Sequence, residues 1–213
     1  YGREPAGLYA FKSSDGIHWT AYNDSRPVMT GHPFDTQNIA FWDPTIGKYR
    51  AYIRDFEGGF PHGRRDIMTA TSDDFLHWSE RQWLQYPGAP KEQLYTNQVK
   101  PYYRAPHILI GFPDRGWIEA TRALPSLELR QQRAKTHPRY GSAVTDALFM
   151  TSRDGLTFHR WDEAFIRPGL RTQHNWAYGD NYIAWHVVET DSGEDDTPRT
   201  LSLYATESSA GQR

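Results

Sequence analysis

Six acidic residues stand beside predicted β-strands, where paired carboxyl groups could do acid–base chemistry. They are Asp35, Asp66, Glu119, Asp146, Asp180 and Glu189. Two carboxyl groups that lie close together can work as a pair, one as the proton donor and the other as the nucleophile or base. Carboxylates at strand ends also cap backbone N–H groups, so a purely structural interpretation of each residue stays open.

The strands that would position these residues belong to an internal repeat. Residues 13–19, 72–78 and 152–158 align without gaps on the pattern Ser-x-Asp-(Gly/Phe)-(Ile/Leu)-(His/Thr)-(Trp/Phe). An apolar, strand-like run precedes each copy, and Asp followed by Gly favours a tight turn. The repeat therefore predicts β-hairpins in which the aspartate shapes the turn and does no chemistry.

The segments between the repeats predict four-stranded antiparallel units. The first unit comprises segments 37–42, 49–54, 66–71 and 82–86. The second starts at Leu94 and adds segments 107–112, 143–151 and 164–167; the third has segments 182–189 and 201–206. A short helix is expected at 127–135, capped by Ser126. Because no βαβ alternation is seen, the predicted fold class is all-β, with sheets arranged radially as in a β-propeller.

The composition argues against several classes of function. The chain carries 24 basic and 26 acidic residues, a balance that does not suit a phosphate-backbone binder, so no nucleic-acid partner is expected. No apolar run approaches the ~18 residues of a membrane span, so no membrane partner is expected. The chain has no cysteine, which excludes disulfides and thiolate metal sites. No cofactor is expected, although the acidic loop 191–196 could hold a structural calcium ion.

Aromatic residues are abundant in this otherwise polar chain, with 8 Trp and 13 Tyr among 213 residues. Flat rings match the C–H faces of sugar rings, and polar side chains match sugar hydroxyls. Aromatic residues also favour strands and fill cores. Both interpretations stay open for any single ring.

Several motifs together resemble the five-bladed β-propeller glycoside hydrolases of families 32 and 43 and their relatives. The resemblance rests on the Ser-x-Asp hairpins, on the turn from Phe41 to Tyr49, and on polar inner strands. Segments 139–149 and 175–182 are also similar to environmental bacterial proteins of the family-32-like group. Five blades need well over 213 residues, so residues 1–213 are expected to form one partial propeller domain of about three blades plus a partial first blade. Further blades or a second chain would complete the ring.

The resemblance implies that carboxylates from different blades converge at one mouth of the central channel. Asp35 is the first choice for the nucleophile or base. Asp146 comes next, because Arg139 and Tyr140 lie close to it in sequence. Asp66 and Asp180 stand at comparable strand starts, and Glu119 and Glu189 are the candidate proton donors. The family-32 motif Trp-x-Asn-Asp-Pro-Asn-Gly is absent, so these roles are expectations from position alone.

The expected substrate is an oligo- or polysaccharide. The residues expected to bind it are Asn38, Arg54, Asn97, Gln98, Arg139, Tyr140, Trp176 and Asn181. The expected function is glycoside hydrolysis in an extracytoplasmic or secreted protein. Three alternatives stay open: a non-catalytic propeller that binds glycans or proteins, a glycoside phosphorylase, and a sialidase-like enzyme that would need three convergent arginines such as Arg54, Arg104 and Arg139.

Overall fold

Short antiparallel strands joined by tight turns make up nearly all of the regular structure. The computed structural model describes residues 6–31, 33–117, 127–136, 141–170, 175–193 and 197–207. The elements with both ends in these ranges are sixteen strands, one α-helix and a 3-10 turn at Asn23–Ser25, and Gly141 and Ser142 are also helical. The strands are β1 (Gly7–Leu8), β2 (Phe11–Lys12), β3 (Thr20–Ala21), β4 (Met29–Thr30), β5 (Ile39–Asp43), β6 (Lys48–Glu57), β7 (Arg64–Ser72), β8 (Gln82–Trp83), β9 (Lys100–Tyr102), β10 (Ala105–Gly111), β11 (Asp114–Trp117), β12 (Val144–Ala147), β13 (Met150–Ser152), β14 (His159–Arg160), β15 (Val188–Thr190) and β16 (Thr200–Ser202), and the helix α1 is Leu127–Thr136.

Two four-stranded antiparallel sheets form the centre of the described structure. The first sheet has the order β5-β6-β7-β8, and the second has the order β9-β10-β13-β14, so both follow the chain from one edge to the other. The hairpin β11–β12 and α1 are inserted between β10 and β13 of the second sheet. The predicted all-β class with antiparallel sheets is therefore confirmed. The helix α1 is neither long nor apolar enough to cross a membrane.

The three Ser-x-Asp turns adopt one common geometry, as the repeat predicts. In the turn between β7 and β8, the Asp74 carboxylate accepts hydrogen bonds from the backbone N–H groups of Leu76 and His77, both at 2.8 Å. The Ser72 hydroxyl donates to the same carboxylate at 3.1 Å and accepts from the N–H of Phe75 at 2.9 Å. These backbone bonds lower the pKa of Asp74, and its contact with His77 adds to the effect. The aspartates therefore hold turns.

The turn of the second sheet also joins the two sheets. The Tyr52 hydroxyl on β6 donates to the carbonyl of Gly155 at 2.9 Å. The Arg50 guanidinium lies against Gly155 and is held by an ion pair with the buried Asp43, at 2.9 Å. Around these contacts both sheets share one apolar core, formed by Tyr52, Ile67, Leu84, Leu94, Val99, Leu109, Leu148, Met150 and Phe158. Burial of each large side chain there contributes about 1.5–3 kcal/mol.

The second predicted unit is wrong in detail. The expected strand 143–151 is two strands, because Pro113, which lies opposite Leu148, has no N–H to donate to the ladder. The N–H of Leu148 still donates to the carbonyl of Pro113 at 2.9 Å, so β11–β12 continues the register of β10–β13. Segment 164–167 forms an isolated bridge at Ile166 instead of a strand, and Leu94 likewise pairs only through a bridge to Arg115. The outer strand of this sheet is β14, which follows the Ser-x-Asp turn directly, as β8 does in the first sheet.

The third predicted unit is reduced to the hairpin β15–β16 and a bridge between Ile183 and Ala205. His186 has a left-handed backbone, with a φ of 80°, which breaks the extended run that the sequence favours. The predicted helix is confirmed as α1, and its expected cap, Ser126, lies outside the described residues.

Substitution of Gly155 tests how closely the Ser-x-Asp turn of the second sheet packs against the first sheet. A Cβ at Gly155 would overlap the Arg50 guanidinium, which its ion pair with Asp43 holds in place. Gly16 has the same position in its own turn and nearly the same φ, 76° against 77°, with no heavy atom within 4 Å of a new Cβ. We therefore expect Gly155→Ala to lower the free energy of unfolding by about 1–3 kcal/mol more than Gly16→Ala. Urea denaturation measures both, and equal losses would contradict this account of the sheet contact.

Candidate functional site

Three segments of the chain, which precede β5, β9 and β15, converge beside the first sheet. The Thr36 hydroxyl donates to the carbonyl of Tyr95 at 3.4 Å, which joins the segment before β5 to the segment before β9. The Tyr95 ring lies 5.9 Å from the Tyr182 ring and 6.3 Å from the Tyr178 ring, measured between centroids. Three half-buried tyrosines from two segments therefore form one aromatic cluster.

An accessible carboxylate and a buried arginine lie beside this cluster. Arg54 near the end of β6 is only 1% exposed, and its guanidinium donates to the Asp35 carboxylate and, at 2.9 Å, to the carbonyl of Pro33. The Asp35 side chain keeps 44% of its surface exposed. An ion pair with a buried cation stabilises the ionised form of a carboxyl group. Asp35 is thus an anchored carboxylate that a ligand can reach, which suits the role predicted for it.

A second arginine, which the sequence analysis missed, meets the same rings. The guanidinium carbon of Arg54 lies 5.5 Å from the centroid of the Tyr95 ring, and that of Arg65 lies 5.9 Å from it. Both guanidinium groups also contact the Phe56 ring, at 4.8 and 5.4 Å. Burial lowers the pKa of Arg54, and the neighbouring charge of Arg65 lowers it further. We call Asp35, Arg54, Arg65, Tyr95, Tyr178 and Tyr182 the Tyr95 site.

Asp114 is the most strongly perturbed carboxyl group near the site. It is fully buried at the start of β11, and burial raises its pKa to about 8, although hydrogen bonds from Thr96 and Gln98 act in the opposite direction. The Thr96 hydroxyl lies between the Asp114 carboxyl and the side-chain oxygen of Gln98, which is 3.0 Å away. Asp114 therefore holds a proton at neutral pH and fixes the segment that carries Tyr95.

Asp146 and Asp66 occupy equivalent strand positions but meet different partners. Asp146 lies directly opposite Arg115 across the β11–β12 ladder, and the guanidinium binds both carboxylate oxygens, at 2.7 and 2.9 Å. Asp66 lies opposite Asp55 instead and pairs with Arg64 at 2.7 Å. Burial raises the pKa of Asp66. These contacts suit the structural interpretation of both aspartates.

Asp66 also lines a separate cavity of about 270 Å³ between the first sheet and β14. Its charged lining residues are ion-paired with one another: Glu57 contacts Arg64 and Lys91, and Glu92 contacts Arg160. The cavity is therefore bordered by balanced charges.

The remaining predicted carboxyl groups have other described partners or lie outside the described residues. Asp180 is almost fully buried, and its carbonyl accepts a hydrogen bond from the Thr145 hydroxyl at 2.6 Å. Glu189 forms an ion pair with Arg104, and this contact lowers the pKa of Glu189. A lowered pKa does not suit a proton donor. Glu119 lies outside the described residues.

Most of the predicted sugar-binding amides are used inside the protein. Asn38 donates to the carbonyl of Thr36 at 2.9 Å, and Asn181 donates to that of Thr145 at 3.0 Å. Gln98 donates to the carbonyl of Ile183 at 2.7 Å, and Asn97 is fully buried beside Tyr52. Trp176 is partly exposed and donates to the carbonyl of Gly169. Arg54 alone among the described predicted binders is part of the Tyr95 site, and Arg139 and Tyr140 lie outside the described residues.

Contacts among the described residues do not support two of the alternatives, a sialidase-like arginine triad and a metal site. Arg104 contacts Glu189 and the Tyr103 ring, whereas Arg54 contacts Asp35 and Tyr95, so these two of the three arginines considered for a sialidase-like site have different partners. The described residues contain no group of three or more side chains that could hold a metal ion. Residues 194–196 of the possible calcium loop lie outside them.

Two local signals could have revealed the missed residues. Tyr95-Thr96-Asn97-Gln98 stands before β9 as Asp35-Thr36-Gln37-Asn38 stands before β5, each with a threonine followed by two amides. Asp114 follows the apolar strand β10 and has the same place in the second sheet as Arg54 has in the first. Asp114 lies opposite Ala147 in its ladder, and Arg54 lies opposite Ile67.

Comparison with known proteins identifies similar solved structures only. No protein-family model and no curated protein matches the chain. An N-acetylgalactosamine deacetylase from F. plautii, solved with blood group B trisaccharide, is 9% identical, with a TM-score of 0.51 over 93% of this chain and 51% of that chain. A structure described as a glycoside hydrolase is 13% identical, with a TM-score of 0.45 over 89% of this chain and 52% of that one. The chain thus spans about half the length of each structure, and the first of them shares its fold.

Asp114 should impose a measurable pH dependence on stability. The folded protein keeps the Asp114 proton up to a pH of about 8, whereas an ordinary aspartate releases it near 3.8. The unfolded chain therefore binds fewer protons between these values, so the free energy of unfolding falls as the pH rises. We expect Asp114→Asn, which cannot ionise, to weaken this fall. Urea denaturation of both proteins at pH 5 and pH 8 measures it; the same fall in both would mean that Asp114 is ionised in the folded state.

Proposed function

We propose that this chain is part of a carbohydrate-active enzyme, a glycoside hydrolase of the five-bladed β-propeller type, and that the Tyr95 site binds its substrate. The observation that carries this proposal is the exposed Asp35 carboxylate, which the buried Arg54 anchors beside three tyrosine rings. Aromatic rings offer stacking surfaces to sugars, and an anchored carboxylate is one of the two groups that glycoside hydrolysis needs.

The propeller architecture is supported by the two sheets of the described structure. Both are four-stranded antiparallel meanders, and in both the Ser-x-Asp turn joins the third strand to the fourth. Radial repetition of such sheets is the defining feature of a β-propeller. The proposal includes further blades, in the same protein or in a second chain, and a polysaccharide substrate met outside the cytoplasm.

In the proposed mechanism Asp35 is the nucleophile or the base. Glu119, two residues after β11 in the sequence, is the proposed proton donor to the leaving oxygen. The protonated Asp114 acts through Thr96 to hold the backbone of Tyr95. It is fully buried, so it serves as a positioning residue and not as the acid that meets substrate.

A non-catalytic glycan-binding propeller is the second candidate. The observation in its favour is that two of the other described aspartates proposed for catalysis, Asp66 and Asp146, are held in ion pairs with Arg64 and Arg115. A binding protein would keep its affinity for glycans when Asp35 is neutralised and would show no turnover.

We expect Asp35→Asn to lower kcat/KM on the best glycoside of an aryl-glycoside and polysaccharide panel by about 10²–10⁴-fold. Asp73→Asn is the matched control and should leave turnover unchanged. Asp73 is an exposed carboxylate paired with Lys48, which lies at the opposite end of β6 from Arg54. Azide should restore part of the activity of Asp35→Gly, since the small anion can enter the space of the lost carboxylate. Full activity in Asp35→Asn would refute the assignment.

Glu119 can be tested by the leaving group. A proton donor matters most when the leaving oxygen is basic. We therefore expect Glu119→Gln to retain activity on dinitrophenyl glycosides and to lose at least about 10²-fold on natural linkages. Equal losses on both substrates would exclude Glu119 as the acid while leaving Asp35 in place.

A further inference from the structure

The cavity between the first sheet and β14 has the size and the walls of a small ligand site. Its volume of about 270 Å³ lies just below the range of about 300–1,000 Å³ that is typical of small-molecule pockets, so it suits a ligand of about one sugar unit. The buried Leu84 and Leu94 and the half-buried Tyr86 line it beside the charged residues. The cavity thus combines apolar and charged walls.

The cavity and the Tyr95 site lie on opposite faces of β7. Arg64 and Asp66 line the cavity, whereas the guanidinium of Arg65, which stands between them, contacts the Tyr95 ring. Neighbouring residues of a strand point to opposite faces of its sheet. In the segment before β9, Leu94 likewise lines the cavity, and the next residue, Tyr95, belongs to the Tyr95 site. A ligand in the cavity therefore does not occupy the Tyr95 site.

A buried hydrogen-bond donor of the cavity wall has no partner among the described residues. Arg160 lines the cavity, and its side chain is only 1% exposed. Its terminal N–H groups donate to the Glu92 carboxylate at 2.6 Å and to the carbonyl of Pro90, whereas its Nε is buried without a hydrogen-bond partner in the described structure. A buried donor without an acceptor costs free energy, and a ligand oxygen in the cavity removes that cost.

The ion pairs around the cavity leave acceptor sites for a neutral ligand. A carboxylate can accept about four hydrogen bonds. Glu92 accepts one on each oxygen, from Arg115 at 3.0 Å and from Arg160, and Glu57 likewise pairs with Lys91 at 3.0 Å. Each of these charges already has an opposite charge beside it, so a charged ligand would disturb a balanced network. Hydroxyl groups both donate and accept, and can therefore bind to this network without adding charge.

We propose that this cavity is a second carbohydrate-binding site, which holds one neutral sugar unit. A hydroxyl oxygen of the sugar accepts from Arg160 Nε, a second hydroxyl donates to the Glu92 carboxylate, and the C–H face of the ring packs on the apolar wall. A neutral sugar suits these walls because its hydroxyl groups surround an apolar ring face. The inference goes beyond the proposed function, since it assigns binding and no catalytic step to the cavity.

The first measurement is a titration of the full chain, followed by proton–nitrogen correlation NMR. The probes are the neutral methyl glycosides of glucose, galactose, mannose and xylose, with glucuronate and glucosamine as charged counterparts. We expect at least one neutral glycoside to bind with a dissociation constant of about 1 mM or below. Its binding should shift the amide signals of Ala89, Lys91 and Glu92, which line the cavity, and leave that of Gly16 in a separate turn unchanged.

The same spectra report on the unpaired donor directly. We expect the Arg160 Nε–H proton to move to lower field when the sugar binds, because the group gains an acceptor. Arg160→Lys identifies this signal by its absence.

The second measurement fills the cavity and leaves its ion pairs in place. Ala89→Phe adds a ring at the cavity wall and should weaken binding of the neutral glycoside at least about tenfold. Ala105→Phe is the matched control and should stay within about twofold, because Ala105 is also partly exposed and lies in β10, outside the cavity lining. Ala89→Val adds less bulk and should weaken binding by a smaller factor, which keeps the test valid if a lower thermal midpoint shows that Ala89→Phe is poorly folded.

The outcomes separate this inference from the proposed function. Shifts confined to the amides of Thr36 and Tyr95 place the sugar at the Tyr95 site, which supports the proposed function and overturns the second site. An unchanged Arg160 Nε–H signal, tighter binding of a charged probe, unchanged binding in both Ala89 variants, or no binding by any glycoside (a water-filled cavity only) also overturns it, while turnover that depends on Asp35 still supports the hydrolase. Cavity shifts that Ala89→Phe abolishes support the second site, whatever the turnover.

Discussion

The structure depends on the contact between the Ser-x-Asp turn of the second sheet and the first sheet. Because Gly155 has no side chain, the Arg50 guanidinium lies directly on the turn. The Tyr52 hydroxyl donates a hydrogen bond to the carbonyl of Gly155. This contact aligns the two halves of the core, from Ile67 on one sheet to Phe158 on the other. The segment before β9 meets the same strand, because the Asn97 amide donates to the carbonyl of Tyr52 at 3.4 Å and the Tyr95 ring lies against Arg54. The Ser-x-Asp turn reverses the chain in each copy of the repeat, and in the second sheet it also connects the two sheets.

An exchange of charge between equivalent strand positions explains why only one sheet presents an arginine to the site. The first sheet has Arg54-Asp55 where the second has Asp114-Arg115. In the second sheet the arginine lies opposite Asp146 and forms a buried cross-strand ion pair. In the first sheet two aspartates oppose each other, an arrangement that is unfavourable in a ladder. Asp66 turns to Arg64, and Arg54 is left to bind Asp35.

The same exchange accounts for the different charge of the two inner positions, a cation at Arg54 and a neutral carboxyl group at Asp114. Arg54 is a buried cation that forms an ion pair with the exposed carboxylate of Asp35. Asp35 is therefore anchored and still accessible to a ligand. Asp114 is buried in the equivalent place, where its near neighbours are the hydroxyl of Thr96 and the amide of Gln98. Burial dominates over these hydrogen bonds, and the carboxyl group retains its proton.

Local patterns were sufficient to predict the turns, the first sheet and the helix. Each of these follows from residues close together in the chain, such as a Ser-x-Asp run or an alternating strand. The role of Asp35, which rests on its place just before a strand, stays a prediction. The division of segment 143–151 could not be predicted, since Val144 to Met150 is a nearly continuous strand-like run and the break is made by Pro113 across the sheet. Arg65, Tyr95 and Asp114 were missed for the same reason, because their significance comes from long-range convergence and burial.

Backbone strain near the site follows from that convergence. Gln98, Trp176, Asn181 and His186 all have left-handed φ values, between 44° and 80°, which are uncommon for residues other than glycine. Gln98 and Asn181 are held there by bonds from their buried amides to the carbonyls of Ile183 and Thr145. Such conformations persist only where surrounding contacts fix them, and they cluster at binding and catalytic sites. Two of the amides that sequence position suggested as sugar ligands, Gln98 and Asn181, thus fix the backbone of the segments that carry Tyr95 and Tyr182.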